Sequence, residues 1–445
     1  METSLIEETY DLLQQLIQNK CVNPPGNEMR NIKTIEKFLS EKGVSCEIYE
    51  SAEQRGNLVA RIKGKEESPK LMFGPSHVDV VPVDNPEEWD VSPFSGKVKD
   101  SYIWGRGAID MLFIVATQVQ AFAALFQEDF EPKGDLVLLI VSDEETGGQF
   151  GAEWMLKNHP EMVETDYAVT EAGGIPIAPG KFVITIGEKG GAWKRISFTG
   201  TPGHGSMPYG SNNAVLKAAE AAKKLKEYTP PITTEYLGHL AKGMGVNKFT
   251  QFLMTKKIFL PFILKRLKKN QPLVAKVIHG LSRMTISPNI IKGGTKVNMI
   301  PSSAYLDVDI RTLPGQDEEY VHNHLMKALG ELAAEAKISE LEQEEGFMSY
   351  GNSSPAKSDF VSAMERAIQK EIPDSSIVPF IMTGVSDARF FRERDVETYG
   401  FSLFDPELSL SDFANLAHGT NERVSLKTVE LTLKAHYNLA KEFLG

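Results

Sequence analysis

The run DLVLLIVS, residues 135–142, is apolar without alternation, and a strand of this kind must be covered on both faces. It belongs to a series. Apolar strands at NLVARI, KLMFGPSHVDVV, DLVLLIVS and YAVTEA alternate with helical stretches such as MLFIVATQVQAFAALFQ and FGAEWMLKNH. Strands alternating with helices dictate an α/β fold with a mostly parallel central sheet and helices on both faces. The ligand site of such a sheet lies beyond the carboxyl ends of its strands. Before the series, helices are expected over residues 4–19 and 30–43, parted by CVNPPGNE, whose Pro-Pro-Gly blocks helix continuation.

From about residue 190 the pattern changes. AWKRISFTG, the helix NNAVLKAAEAAKKLKEY, strands near MTISPNI and AYLDVDIRT, the helix EEYVHNHLMKALGELAAEA and a strand before GNSSPA form a β-α-β-β-α series. That order suits a small α+β sandwich with its helices on one face of an antiparallel sheet. After residue 350 the α/β character returns, with helices from AKSDFVSAMERAIQKE and SLKTVELTLKAHYNLAKEFL. The expected topology is one α/β domain, residues 1–189 and 349–445, interrupted by an inserted domain, residues 190–348.

A chain of 445 residues has ample core for a rigid site, and 41% hydrophobic with 24% charged residues is ordinary for a folded protein. The net charge of -12 opposes phosphate backbones and anionic membrane surfaces, so nucleic acid is not an expected partner. Cys21 and Cys46 cannot make a disulfide framework, and METSLIEETYDLLQQLIQNK lacks the layout of a signal peptide. A cytoplasmic protein with reduced thiols is expected. No apolar run is read as reaching the roughly 20 residues of a membrane span.

Within the insert, TKKIFLPFILKRLKKN, residues 255–270, gathers Lys256, Lys257, Lys265, Arg266, Lys268 and Lys269 around an apolar stripe. A helix lying on a membrane surface has this composition. Pro261 and the short length favour instead a helical hairpin packed on the insert or on a second subunit.

The chemistry concentrates at the strand ends. SHVDVV puts His77 and Asp79 on the same side of a strand end, where Asp79 could hold one imidazole nitrogen while the other binds a metal. A structural histidine fits the same pair. WGRGAIDM sets Asp110 at the start of a helical stretch. Its glycines could cradle a phosphate, although the third glycine of a dinucleotide fingerprint and the Lys-Ser/Thr of a P-loop are both missing. SDEETGG brings Asp143, Glu144 and Glu145, VTEAGG brings Glu171, and NLAHGTNE brings His418. Two histidines and three carboxylates, His77, His418, Asp110, Glu145 and Glu171, make the ligand complement of a two-metal site with one bridging carboxylate.

In order along the chain, VNPPGNE, SHVDVVP, WDVSPFSG, GRGAIDM, SDEETGG, TEAGG, GTPGHGS, VNMIPSSAYLDVDIRTLPG, TGVSDARFF and AHGTNE span most of its length. This series resembles the dinuclear zinc metallopeptidases of the aminoacylase and glutamate carboxypeptidase type, with succinyl-diaminopimelate desuccinylase and acetylornithine deacetylase. The resemblance implies a zinc-exopeptidase-like catalytic domain interrupted by an α+β, ferredoxin-like lid and dimerisation domain. It also implies two divalent ions per subunit, Zn2+ with Co2+ or Mn2+ as substitutes. His77 and Glu171 would bind one ion, Glu145 and His418 the other, and Asp110 both. Glu144 would be the general base that takes a proton from a water between the ions and passes it to the leaving amine.

By the same resemblance Asp79 orients His77, and His204 in PGHGS reaches the partner subunit's site to stabilise an oxyanion, which makes a homodimer. Asn298 in VNMIP and Arg311 in DIRTLPG would bind the substrate's carboxylate or oxyanion, with Gly384 in TGVSDAR offering backbone hydrogen bonds to the same end; for Arg311 a surface ion pair with Asp309 or a neighbour is the alternative. Asp143 receives no chemical role and reads as a solvent-facing or turn-capping residue. Leu112 stands where relatives usually carry Lys, and SDAR replaces the commoner Thr-Asp.

The implied activity is metal-dependent cleavage of an amide or peptide bond next to a free carboxylate, of dipeptidase or carboxypeptidase type. The alternative is an N-acyl amino acid amidohydrolase of aminoacylase, desuccinylase or deacetylase type. A non-catalytic binding protein on the same fold is the rival from another class. The expected partners are a small peptide or N-acyl amino acid and a second copy of the chain.

Overall fold

The computed structural model describes residues 2–341 and 349–445. Among them, ten strands form one sheet. Its order is Cys46–Ala52, Arg55–Ile62, Leu136–Val141, Leu71–His77, Tyr167–Thr170, Glu397–Gly400, Lys181–Glu188 and Asn352–Ser353, with Ser376–Met382 and Pro176–Ala178 also paired to Lys181–Glu188. The four strands from Leu136–Val141 to Glu397–Gly400 run parallel, and Ser376–Met382 runs parallel to Lys181–Glu188. The sheet is therefore largely parallel, as the alternating pattern requires. Every residue of Leu136–Val141 is buried, which is why its sequence shows no polar alternation.

Helices cover the sheet. Thr3–Gln18 and Met29–Glu41 form on either side of the Pro-Pro-Gly loop. Phe113–Gln127 is buried at every position from Phe113 to Leu125, packed against Thr3–Gln18 and the C-terminal helix Leu426–Leu444. Ala108–Gln127 is long and apolar enough to cross a membrane by length and composition, which corrects the expectation that no such run exists. Its apolar faces are instead satisfied inside the protein: 89% of its most apolar 18-residue window is buried in the core.

A second, antiparallel sheet is built from Gly190–Gly191, Ser303–Thr312, Lys194–Thr199 and Ala336–Glu340, with Thr285–Gly293 paired to Ser303–Thr312. Helices Ala214–Glu227 and Glu318–Leu329 lie against it. Ala218, Ala221, Leu225, Val321, Leu325 and Leu329 meet Ile196, Phe198, Leu306 and Ile310 in a core separate from the main one. The strand expected before GNSSPA is described at Ala336–Glu340; residues 342–348, where the rest of that expectation and the 348/349 boundary fall, lie outside the described residues.

The basic stretch 255–270 holds one helix, Leu260–Asn270, rather than a hairpin of its own; that helix pairs with the next, Pro272–Leu281. It does not pack on the insert's sheet. Leu237, Leu240, Met254, Leu260, Ile278 and Leu281 join the main core, and the preceding helix Glu235–Gly243 lies on Ser376–Met382. An apolar stripe at helical spacing says that a face is buried without saying which sheet buries it.

Candidate metal and catalytic site

His77 is the last residue of the strand Leu71–His77, Glu144 and Glu145 open a single helical turn just beyond Leu136–Val141, and Glu171 follows Tyr167–Thr170. All four leave the carboxyl ends of adjacent parallel strands. Asp110 comes from the wide turn Ala108–Leu112 that leads into Phe113–Gln127, and His418 follows the short helix Leu410–Leu416.

These side chains converge. Asp110 Oδ1 lies 3.3 Å from His77 Nε2, and Asp110 Oδ2 lies 3.2 Å from His418 Nε2, so one carboxylate spans both imidazoles. His418 Nε2 is also 3.3 Å from Glu145 Oε1, and His77 Nε2 is 3.9 Å from Glu171 Oε2. His77, Asp110 and Glu145 offer ligand atoms within 4.8 Å of one another, and so do His77, Glu144 and Glu171. Glu144 Oε2 stands 4.0 Å from His77 Nε2, beside the ligand set.

Asp79 is buried and fixes the imidazole. His77 Nδ1 is 3.0 Å from the Asp79 carbonyl oxygen and 3.3 Å from Oδ1, which places the ring proton on Nδ1 and leaves the Nε2 lone pair facing Asp110. The Asp79 carboxylate also accepts from Asn23 Nδ2 at 2.9 Å and from the backbone N–H groups of Glu144 at 3.2 Å and Glu145 at 3.1 Å. Burial alone would raise its pKa; the bonds to His77, Asn23 and Glu145 N–H hold it below the ordinary value.

The donor set fits metal ions. Among the described residues His77 Nε2 and Glu145 Oε1 are buried and, despite the nearby charges, make no hydrogen bond of good geometry, an arrangement that costs stability unless something else satisfies them. Two atoms each bound to a tetrahedral zinc at its usual bond lengths stand about 3.3 Å apart, close to the separations of Asp110 from the two histidines. Burial and the carboxylates of Glu145, Asp387 and Asp110 push Glu144 well above its ordinary pKa, and burial with Asp110 and Glu144 does the same to Glu171. Contacts with Asp110 and Glu145 push His418 up to about 10. Positive charge among these groups would relieve the crowding that raises the carboxylates.

Several residues that hold the site were not singled out from the sequence. Arg106 Nη1 donates to Glu422 Oε2 at 2.6 Å and Nη2 to the His418 carbonyl at 3.1 Å, while Glu422 Oε1 accepts from Ile109 N and Asp110 N. Both lie inside quoted motifs, GRGAIDM and AHGTNE, whose charges were the available signal. Asp143 is buried, contrary to a solvent-facing reading. Its side chain does not cap the turn Glu144–Thr146; it accepts from Thr146 Oγ1 and Phe150 N, bracing the loop that follows, and it meets Arg55 Nη1 at 3.2 Å. Arg389 Nη2 donates to the Gly147 carbonyl, and Gly148 has a φ of +74 in a place where a Cβ would collide with Asp387.

His204, Asn298 and Arg311 lie apart from this cluster in the pattern of contacts. Gly203–His204 pairs with Met299–Ile300 in an exposed two-stranded ribbon, and Gly205 N donates to the Asn298 carbonyl. Among the described residues no hydrogen bond or ion pair joins His204 or Asn298 to the ligand set. Arg311 Nε donates to Asp309 Oδ1 at 2.8 Å, the alternative that its sequence allowed. Gly384 is exposed just beyond Ser376–Met382. Leu112 is buried against Gly107, so the position usually held by Lys is part of the core here.

A cavity of about 270 Å³ opens beside the cluster. Asp110, Glu171 and His418 form one wall, and Phe113, Ile114, Met382, Phe404 and Phe413 form much of the rest.

The model of peptidase family M20/M25/M40 matches residues 75–442. Among curated proteins, a probable carboxypeptidase S-like protein of Dictyostelium discoideum is 28% identical over 86% of this chain and 74% of its own length. An N-fatty-acyl-amino acid synthase/hydrolase of Xenopus tropicalis is 26% identical over 82% and 70%. The fold is shared with an M20 family metallo-carboxypeptidase from Sulfolobus solfataricus, at a TM-score of 0.69 and 18% identity over 98% of this chain and 99% of that one. It is also shared with human carnosine dipeptidase 1, at 0.65 and 16% over 98% and 97%. With its carboxylates and imidazoles gathered at the ends of a largely parallel sheet, the chain belongs to peptidase family M20/M25/M40 and is a metal-dependent hydrolase of amide bonds.

Proposed function

We propose that this chain cleaves an amide or peptide bond next to a free carboxylate, as a dipeptidase or carboxypeptidase does, with two zinc ions per subunit. His77 and Glu171 would hold one ion, Glu145 and His418 the other, and Asp110 would serve both. The observation that carries this reading is the Asp110 carboxylate, which presents one oxygen to each histidine. When bound, such ions polarise the scissile carbonyl and acidify water.

The chain's own groups do the rest. Glu144 takes a proton from the attacking water and delivers it to the leaving amine. Its turn is held by Asp79, which accepts from the Glu144 and Glu145 N–H groups and at the same time orients His77. Residues 190–348, apart from the helices between 235 and 281 that pack into the main core, act as lid and dimerisation domain on a catalytic domain of residues 1–189 and 349–445. From the lid, His204 donates to the oxyanion in the second subunit's site, and Asn298 and Arg311, with Gly384, take the substrate's carboxylate. The exposed side chains of Ile290 and Ile291 on Thr285–Gly293 support pairing of two lids. The free thiols of Cys21 and Cys46 fit a cytoplasmic protein.

One observation favours a second reading, an N-acyl amino acid amidohydrolase. The cavity beside the ligands is walled by Phe113, Ile114, Phe404 and Phe413, which suits an apolar acyl chain as well as an apolar side chain. The name of the Xenopus relative points the same way.

A substrate screen tests both. Dipeptides and N-acyl amino acids of increasing chain length are compared with the same compounds amidated at the carboxylate. Hydrolysis that disappears on amidation supports the proposal, and the preferred acyl group separates its two forms. Equal turnover of amidated and free compounds would overturn it.

A further inference from the structure

Between Lys242 and Arg283 the chain carries ten Lys or Arg residues and no Asp or Glu, in a protein of net charge -12. The segment forms the helices Glu235–Gly243, Lys248–Met254, Leu260–Asn270 and Pro272–Leu281. Pro261 does not interrupt them. It sits in the first turn of Leu260–Asn270, where a missing N–H removes no helical bond.

The apolar residues divide into two sets. Leu237, Leu240, Met254, Leu260 and Ile278 enter the main core. Phe249 (71% exposed), Phe252 (51%), Ile258 (81%), Phe259 (40%) and Phe262 (71%) stay in water. Phe249 and Phe252 are three residues apart on one helix, and Phe259 and Phe262 repeat that spacing at the start of another, so each pair shares a face. Beyond Phe262, Lys265, Arg266 and Lys269 follow at three, four and seven residues, along the same flank. These cations are exposed, and among the described residues none of them enters an ion pair.

We propose that this face docks on an anionic lipid bilayer. Phe249, Phe252, Ile258 and Phe262 enter the boundary between headgroups and acyl chains, and Lys256, Lys257, Lys265, Arg266 and Lys269 meet the anionic headgroups. Both halves of the patch are needed to choose the occupant. A polyanion such as nucleic acid neutralises the cations and leaves the exposed phenylalanines in water, whereas an anionic bilayer satisfies both sets together. The remaining surface carries the chain's excess negative charge and is repelled by such a membrane, so docking is confined to this face. The first of these helices, Glu235–Gly243, lies on Ser376–Met382, the strand whose last residue lines the cavity beside the candidate ligands, and Lys248–Met254 and Pro272–Leu281 pack on that helix, so docking turns this side of the enzyme toward the lipid.

Vesicle co-sedimentation of the full chain tests the inference, with phosphatidylcholine alone and with phosphatidylcholine mixed with phosphatidylserine, at low and high salt. Sedimentation with the anionic vesicles only, lost at high salt, is expected. The triple variant K265E/R266E/K269E is expected to bind roughly tenfold or more weakly, since each cation near an anionic surface contributes to the affinity. The double variant F249S/F262S should also bind weakly, with hydrolysis of a soluble substrate unchanged in both variants as the check on folding. Absence of binding to anionic vesicles at low salt would overturn the proposal. Binding that neither variant weakens would overturn it too, as would a concentration-dependent dimer that the variants abolish in a protein without lipid affinity.

Discussion

Arg106 Nη1 donates to Glu422 Oε2 at 2.6 Å, and this buried pair ties the turn carrying Asp110 to the loop carrying His418. The second Glu422 oxygen takes the Ile109 and Asp110 N–H groups, and Arg106 also reaches the carbonyls of His418 and Gly419. Removing the cation leaves Glu422 as an uncompensated buried charge. Arg106→Met is therefore expected to cost about 3–5 kcal/mol of stability, measured by denaturant unfolding, and to weaken metal retention. A variant as stable as the parent would show that the pair does not hold these loops.

Asp143 and Arg55 make a comparable point on the other side of the site. Asp143 holds a φ of +76, accepts from Thr146 Oγ1 and Phe150 N beside the turn that carries Glu144 and Glu145, and lies 3.2 Å from Arg55, which also pairs with the buried Glu28 at 2.5 Å. Asp143→Ala loses these bonds and places alanine in a left-handed conformation, with an expected cost of roughly 2–4 kcal/mol. Asp143→Asn keeps an acceptor and tolerates that conformation, so about half the loss is expected. Thermal melts of the two variants check the ranking, and kcat should fall in the same order as the turn loosens.

The division of labour between Glu144 and His204 is tested by mixing. Glu144→Gln should keep its metal and lose roughly two to four orders of magnitude in rate, as when a general base is removed. His204→Ala should be inactive through the other subunit's site. Mixed and allowed to exchange subunits, the two inactive proteins are expected to regain part of the activity. Exchange without recovery would place His204 outside a shared site.

Cys21 lies beside the loop of Asn23, buried, and burial pushes its thiol up to about 12. Between the ordinary thiol value near 9 and about 12, the unfolded chain gives up a proton that the native chain keeps, so this group's contribution to stability falls as pH rises through that window. At neutral pH the thiol is protonated and shielded. One thiol per folded chain, the half-exposed Cys46, is expected to react with a disulfide reagent, and the second only after unfolding. Labelling of Cys21 in the native protein would contradict its burial.

What the sequence made legible follows from how local each signal is. The parallel sheet was readable because Leu136–Val141 is buried on both faces and its residues say so one by one. His77, Glu144, Glu145 and Glu171 follow buried strands, so their emergence at one end of the sheet could be read from sequence. Asp110 in a turn and His418 after a short helix follow no such strand and were joined to them through the family resemblance. The place of Asp143 was not legible, because its partner Arg55 is distant in sequence and nothing local to SDEETGG announces it. Arg106 and Glu422 lay in quoted motifs, yet their pairing depends on a fold that brings the two ends of the chain together. The helical hairpin of residues 255–270 was expected on the insert or on a second subunit, and its buried residue Leu260 joins the main core, since an amphipathic stripe carries no address.

Metal content measured against activity tests the central claim most directly. The chain is expected to hold two divalent ions, to lose hydrolysis when a chelator removes them, and to recover it with zinc, cobalt or manganese. Asp110→Asn should lower both the metal content and the recovery. Full hydrolysis by the chelated, metal-free protein would contradict the account, and so would a protein that binds none of these metals and hydrolyses nothing after they are added.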